Sequence, residues 1–253
     1  MPPLSDWLYL AKGMHQSFEF GVRGSNAKPG SPDWCFPAKS NAPVSDWVSR
    51  PWGITFSDGS CESHGAVLYL RWETSDGVVT WLVESKAKLT PLNQKGDAVK
   101  AEVCGAVFAT CLKGYVLKHG RLDVEKWYHF IDSQTVLGAV QRESYGFQTF
   151  FANRIGEIQK AGAVTDWWWI PGEVNIADLV TRGCSPELLG ENSLWQKGPE
   201  LLSSPVEDGP IKSASEVATD AREVVSRLQN KGLFSCPYQS SSQEIVKFWL
   251  PRW

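Results

Sequence analysis

Ile54-Thr55-Phe56-Ser57-Asp58-Gly59-Ser60 is the stretch from which the fold is read. Apolar residues run up to one aspartate, and small residues follow it. That is how a buried strand delivers a carboxylate to its end and then turns. Trp127-Tyr128-His129-Phe130-Ile131-Asp132-Ser133 repeats the pattern. Asn175-Ile176-Ala177-Asp178-Leu179 sets a third aspartate at the start of a helical stretch, and Glu102 lies inside a longer one. These four carboxylates are expected to converge on divalent metal, with the remaining segments holding them in place.

Outward from Asp58, residues 52–58 read as a strand and Gly65 to Trp72 as a second. Ser75-Asp76-Gly77 is a hairpin signal, and Val78 to Val83 gives a third strand, so the three form an antiparallel meander. The period changes over 97–119, where Val99, Val103, Ala106, Val107, Thr110 and Leu117 recur at helical spacing and Gly120 reads as a stop. Residues 127–131 follow this helix as a strand expected to run parallel to the first. Residues 133–143 and 147–161 read as helices, Trp167 to Ile170 as a fifth strand and 176–182 as a last helix closed by Gly183. The order is βββαβααβα, an α/β domain with a mixed five-stranded sheet flanked by helices.

The flanks are less regular. Residues 1–50 hold six prolines among Gly and Ser, with Trp7, Trp34 and Trp47 as aromatic anchors. They read as an irregular lead-in, a remnant of a preceding domain. The organised domain is expected over 51–202, where Leu188, Leu189, Leu194, Trp195, Leu201 and Leu202 pack back on it. Residues 203–215 are Ser/Pro-rich and linker-like, and helical spacing returns over 215–232 in a weakly helical tail to 253. Among 253 residues, 42% hydrophobic and 21% charged residues match ordinary globular usage. A net charge of −3 gives no global basic field. The six cysteines form no C-x-x-C pair, which excludes a zinc ribbon and a redox motif, and they read as reduced thiols. The N-terminus has no basic-then-apolar signal pattern, and no apolar run is long enough to span a bilayer. A cytoplasmic or nuclear chain is expected, with no secretion and no membrane partner.

Chemistry follows from the charge. Four neighbouring carboxylates repel one another unless cations neutralise them. Hard oxygen ligands suit magnesium or manganese, not zinc. Two such ions about 3.5–4 Å apart can activate water and stabilise a leaving oxygen at a phosphodiester. Each residue alone admits a plainer reading. Asp58-Gly59 is a turn, Asp132-Ser133 a helix cap, Glu102 a solvated helix residue and Asp178 a helix N-terminal charge. Their joint order on these elements favours the metal reading.

At this point the sequence resembles a family, the ribonuclease H domain of BEL/Pao-type LTR retrotransposon polyproteins. Phe56-Ser57-Asp58-Gly59-Ser60 with Gly65 to Trp72 is similar to its first hairpin. Glu84 to Leu92 and Lys100-Ala101-Glu102-Val103-Cys104-Gly105-Ala106-Val107 resemble its third strand and first helix. Asp132 to Leu137, Glu143 to Gln159, Pro171 to Gly183 and Ser193 to Pro199 continue the likeness, which covers about residues 52–202. The resemblance implies a metal-dependent endoribonuclease that cleaves the RNA strand of RNA–DNA hybrids during reverse transcription. Asp58, Glu102, Asp132 and Asp178 match the family's metal-binding and catalytic carboxylates, with two Mg2+ or Mn2+ ions. It further implies a reverse transcriptase domain of the same polyprotein as partner, a polymerase-connection origin for residues 1–50, and a virus-like particle as one location. Gly59 and Ser60 are then small so that a nucleic-acid backbone comes close. Ser133 and Asn175 are candidates to hydrogen-bond the hybrid, although capping is the simpler account of Ser133.

The chain departs from the pattern in two places. Cellular ribonucleases H commonly place a histidine in the loop before the last helix, where this chain has Gly172-Glu173-Val174-Asn175. No basic helical handle is evident, and the best partial equivalent is the region of Lys113, Lys118, His119, Arg121 and Lys126, although a solvated helix end and loop is the simpler account of it. Asn153 and Arg154 read either as phosphate contacts or as surface ion-pair residues. Trp167, Trp168 and Trp169 alternate about a strand and read as core, not as a base-stacking platform. The alternative from another class is a domesticated retroelement domain that binds nucleic acid or protein without catalysis. The acidic charge and the missing handle speak for it and the four intact carboxylates against it.

Overall fold

The computed structural model describes residues 50–91, 97–119, 123–190 and 193–217. Five strands form one sheet: β1 (Trp52–Gly59), β2 (Ser63–Thr74), β3 (Gly77–Leu89), β4 (Lys126–Ile131) and β5 (Trp167–Trp169). Their spatial order is β3-β2-β1-β4-β5. The first three pair antiparallel as a meander, and β4 adds parallel to β1, then β5 parallel to β4. The helices are α1 (Ala98–His119), α2 (Gln134–Val140), α3 (Thr149–Ala161), α4 (Asp178–Arg182), α5 (Leu194–Lys197) and α6 (Ala214–Val217). The α/β class, the βββαβααβα order and the mixed sheet therefore stand as read from the sequence.

The two-residue period of the strands sorts their side chains onto two faces. Ala66, Leu68, Leu70 and Trp72 of β2 face α1, α2 and α3. Val67 and Tyr69 join Ile54, Phe56, Tyr128 and Phe130 on the opposite face, with Ile176, Ala177 and Val180 around α4. β2 is buried on both faces through its length, as a central strand must be. Trp167 and Trp169 pack on the first face and Trp168 on the second, so the alternation expected of them is observed.

Some boundaries move. β3 continues to Leu89, six residues past the expected Val83, because its exposed Lys86–Leu89 end still pairs with Ser63 to Ala66 of β2. Backbone hydrogen bonding holds that end without any apolar alternation to announce it. The helix read over 133–143 stops at Val140, with Ser133 as its N-cap accepting from the Val136 amide. The expected stop Gly120 and the tail beyond 217 lie outside the described residues, as do residues 1–49.

The stretch read as a linker is packed chain over its described part. Leu202 and Val206 are buried among the residues of the second face. Arg71, buried on β2, donates from Nε to the Leu202 carbonyl at 3.0 Å and from Nη2 to the Ser204 carbonyl at 3.2 Å. Lys212 pairs antiparallel with Trp169 beyond β5. Composition missed this because the segment is held by backbone carbonyls, which any residue supplies.

Candidate metal centre

β1 and β4 run parallel in a register that pairs Ser57 with Ile131. Asp58 and Asp132 are the next residues of the two strands and so emerge side by side. Asp178 opens α4, which packs under the same ends from the second face. One carboxylate oxygen from each of Asp58, Asp132 and Asp178 lies within 4.8 Å of the others. Asp58 is buried, and the other two are half-buried.

Glu102 does not join that triad. It rides on α1, whose Val103 and Ala106 pack on the first face, so it approaches the strand ends from the other side of the sheet. The Ser133 hydroxyl donates to its Oε2. Burial first, then the charges of Asp132 and Asp58, push Glu102 up to about 7, against the Ser133 hydrogen bond that favours the carboxylate. Asp132 is pushed up to about 6 by burial and by Asp58, opposed by a hydrogen bond from Asn175. Asp178 is also raised, by burial and by Asp58, against the pull of Arg182. All three shifts have the sign expected of a carboxylate cluster short of positive charge. Asp178 Oδ1 is buried without a hydrogen bond, and Arg182 Nε is its ion-pair partner at 3.2 Å.

The candidate substrate contacts turn out to have internal duties. A Cβ on Gly59 would sit 2.1 Å from the backbone of Ala101 and Glu102, so its smallness admits α1. Gly105 reciprocates, since its Cβ would lie 2.3 Å from the Asp58 carbonyl oxygen. Ser60 Oγ donates to the carbonyls of Ser63 and Thr181. Asn175 Nδ2 donates to the Ser57 carbonyl at 3.1 Å, and its Oδ1 accepts from the Ala177 amide. Gly59 therefore needs no nucleic acid to explain it, while Ser133 and Asn175 support Glu102 and Asp132.

Other candidates have partners within the chain. Lys113 is buried, 3.6 Å from Asp166 and over the Trp127 ring, and Lys126 pairs with Glu207 at 3.0 Å. A partial handle over 113–126 thus loses Lys113 to the interior, while Lys126 is in an exposed ion pair at the surface. Arg154, read as a phosphate contact or a surface ion-pair residue, has intramolecular partners among the described residues. Its guanidinium lies 3.6 Å over the Phe150 ring, and it donates to the Phe150 carbonyl and to Cys104 Sγ. In the loop lacking histidine, Glu173 is exposed, and Gly172 passes beside Asp132, where a Cβ would stand 3.4 Å from Oδ2. The sequence reading overlooked Thr181, whose hydroxyl donates to Asp58 Oδ2. Its place three residues after Asp178, on the same helix face, was the available signal.

Among solved structures, the crystal structure of RNase H1 from the halophilic archaeon Halobacterium salinarum NRC-1 is similar to this chain at 15% identity, with a TM-score of 0.32, covering 53% of this chain and 96% of that one. No curated protein matches the chain. Residues 53–133, the segment that holds Asp58, Glu102 and Asp132, match the family model described as the Pao retrotransposon-like RNaseH-like domain, and this part of the chain is similar to that family.

Proposed function

We propose that this chain is a metal-dependent endoribonuclease that hydrolyses the RNA strand of RNA–DNA hybrids during reverse transcription. The observation that carries the reading is the meeting of Asp58, Asp132 and Asp178 within 4.8 Å at the ends of adjacent parallel strands. The donor set fits a divalent cation: hard carboxylate oxygens, half or more buried, with, among the described residues, no lysine or arginine ion-paired to them beyond Arg182 at Asp178. Asp58, Asp132 and Asp178 would hold the cation, and Glu102, fixed by Ser133, stands ready from the other face. Magnesium or manganese bound there supplies neutralising charge and an activated water for in-line attack on a phosphodiester. The chain's own part is orientation. The β-sheet register sets Asp58 against Asp132, Ser133 holds Glu102, and Asn175 ties the loop before α4 to β1.

The net charge of −3 gives no global basic field, so affinity for the hybrid is drawn in part from a reverse transcriptase domain of the same polyprotein. Purified protein is expected to cleave a labelled RNA–DNA hybrid in Mg2+ or Mn2+, and Asp132→Asn to reduce cleavage by at least about 100-fold, as loss of a metal ligand does. Equal inactivity of wild type and variant in both metals, with and without an added polymerase domain, would sink the enzymatic reading. Hybrid binding without cleavage would then favour a non-catalytic binding module.

A further inference from the structure

Thr181 is fully buried one helical turn after Asp178, and it belongs to none of the carboxylates that the metal reading invokes. Two hydrogen-bonding directions meet in it. Its hydroxyl donates to Asp58 Oδ2. Its carbonyl accepts from Ser63 Oγ at 2.6 Å and from Ser60 Oγ at 3.3 Å. Ser60 lies in the β1–β2 turn and Ser63 opens β2, and Ser60 Oγ also accepts from the Ser63 amide, so the turn is closed on itself. Ser63, like Thr181, is buried.

We infer that Thr181 is a positioning residue for the metal centre, fixing the Asp58 carboxylate while the two serines fix Thr181. The inference rests on the metal reading above and adds to it a residue outside the four carboxylates. A carboxylate at a strand end turns freely about its Cβ–Cγ bond unless a donor takes one of its lone pairs. The Thr181 hydroxyl takes one on Oδ2, and what it selects is the rotation that points the remaining acceptors toward Asp132 and Asp178. The same residue is one turn from Asp178, so its tether to the β1–β2 turn also sets how closely α4 brings Asp178 to Asp58. Partners of this kind hold metal ligands in geometry, and their loss typically costs about 10–100-fold in metal affinity.

The test is Mn2+ binding to the full-length chain, read from the electron paramagnetic resonance signal of free Mn2+, for wild type, Thr181→Val, Thr181→Ser, Ser63→Ala and Asp132→Asn. Thr181→Val keeps the shape and removes the donor, whereas Thr181→Ser keeps the donor. The expected result is a Mn2+ dissociation constant raised about 10-fold or more in Thr181→Val, a wild-type value in Thr181→Ser and a rise of at least about 2-fold in Ser63→Ala. Wild-type affinity in a folded Thr181→Val chain overturns the inference. If that variant does not fold, wild-type affinity in Ser63→Ala overturns it instead. A wild-type chain that binds no Mn2+, or binds it no better than Asp132→Asn, overturns the metal reading itself and this inference with it.

Discussion

Glu102 shows how much of the centre's behaviour sits in one side chain. Its carboxyl is pushed up to about 7, well above the unfolded value of 4.5, by burial and by Asp132 and Asp58. A raised carboxyl contributes stability that is present in full below the unfolded pKa and lost as pH rises through the folded one. The buried histidines act in the opposite direction. His64 is held at about 4 and His129 at about 3 by burial, so their contribution is lost as pH falls below the ordinary histidine range. Wild-type stability alone mixes the two, and a variant separates them. Glu102→Gln, melted without metal, is expected to gain stability relative to wild type between pH 5 and pH 8, by on the order of 3 kcal/mol at most, at about 1.4 kcal/mol per tenfold change in proton affinity. A melting-temperature difference between the two chains that stays flat over that range would contradict the assignment. Saturating Mg2+ is expected to erase the gain, because the cation supplies the charge that the proton otherwise brings.

At the scale of elements, the centre depends on how closely α1 lies against β1. The helix reaches the strand end through two glycines, Gly59 on the strand and Gly105 on the helix, each with the other element's backbone where its Cβ would be. Gly59→Ala must push α1 away from β1, because backbone cannot turn aside as a flexible side chain can. Overpacking of this kind costs about 1–3 kcal/mol. The variant is expected to unfold at lower urea and also to weaken Mn2+ binding, since Asp58 and Glu102 ride on the two elements being separated. Stability and metal affinity equal to wild type would show that α1 is free to shift. β4 makes a complementary point: His129 on the first face is buried between Trp127 and Trp167, with Nδ1 2.6 Å from Thr55 Oγ1. That ring is satisfied core.

For the whole molecule, the second face of the sheet is closed by chain that follows the last catalytic candidate. Trp195 is buried there, and its carbonyl accepts from the Tyr69 hydroxyl at 2.7 Å. Val206 is fully buried, and Glu207 accepts from the Tyr128 hydroxyl. A chain ended after residue 202 is therefore expected to be less stable than one ended after 217 by about 2 kcal/mol or more, the worth of burying Val206 alone being about 1.5–3 kcal/mol. Urea midpoints of the two chains measure it, and equal midpoints would restore 202 as the boundary. Among the described residues no helix is long and apolar enough to cross a membrane.

The sequence by itself determined which residue types arrive, in which order and on which kind of element. The apolar run into Asp58, its repeat into Asp132 and the helical period around Glu102 are local patterns, set by the two-residue and 3.6-residue repeats of the backbone. They were enough for the βββαβααβα order and for naming four candidate carboxylates. Only the tertiary structure decided which of those carboxylates share one point, because that depends on the face from which each element approaches. Asp178 comes from the second face and joins Asp58 and Asp132, while Glu102 comes from the first and is held at Ser133. The cause of Gly59's small size, the hydrogen bond from Thr181 to Asp58 and the packing of 203–217 were likewise out of reach. Each is a contact between residues far apart in the chain, made by a backbone atom or a lone hydroxyl, and a local pattern of side chains leaves no trace of such a contact.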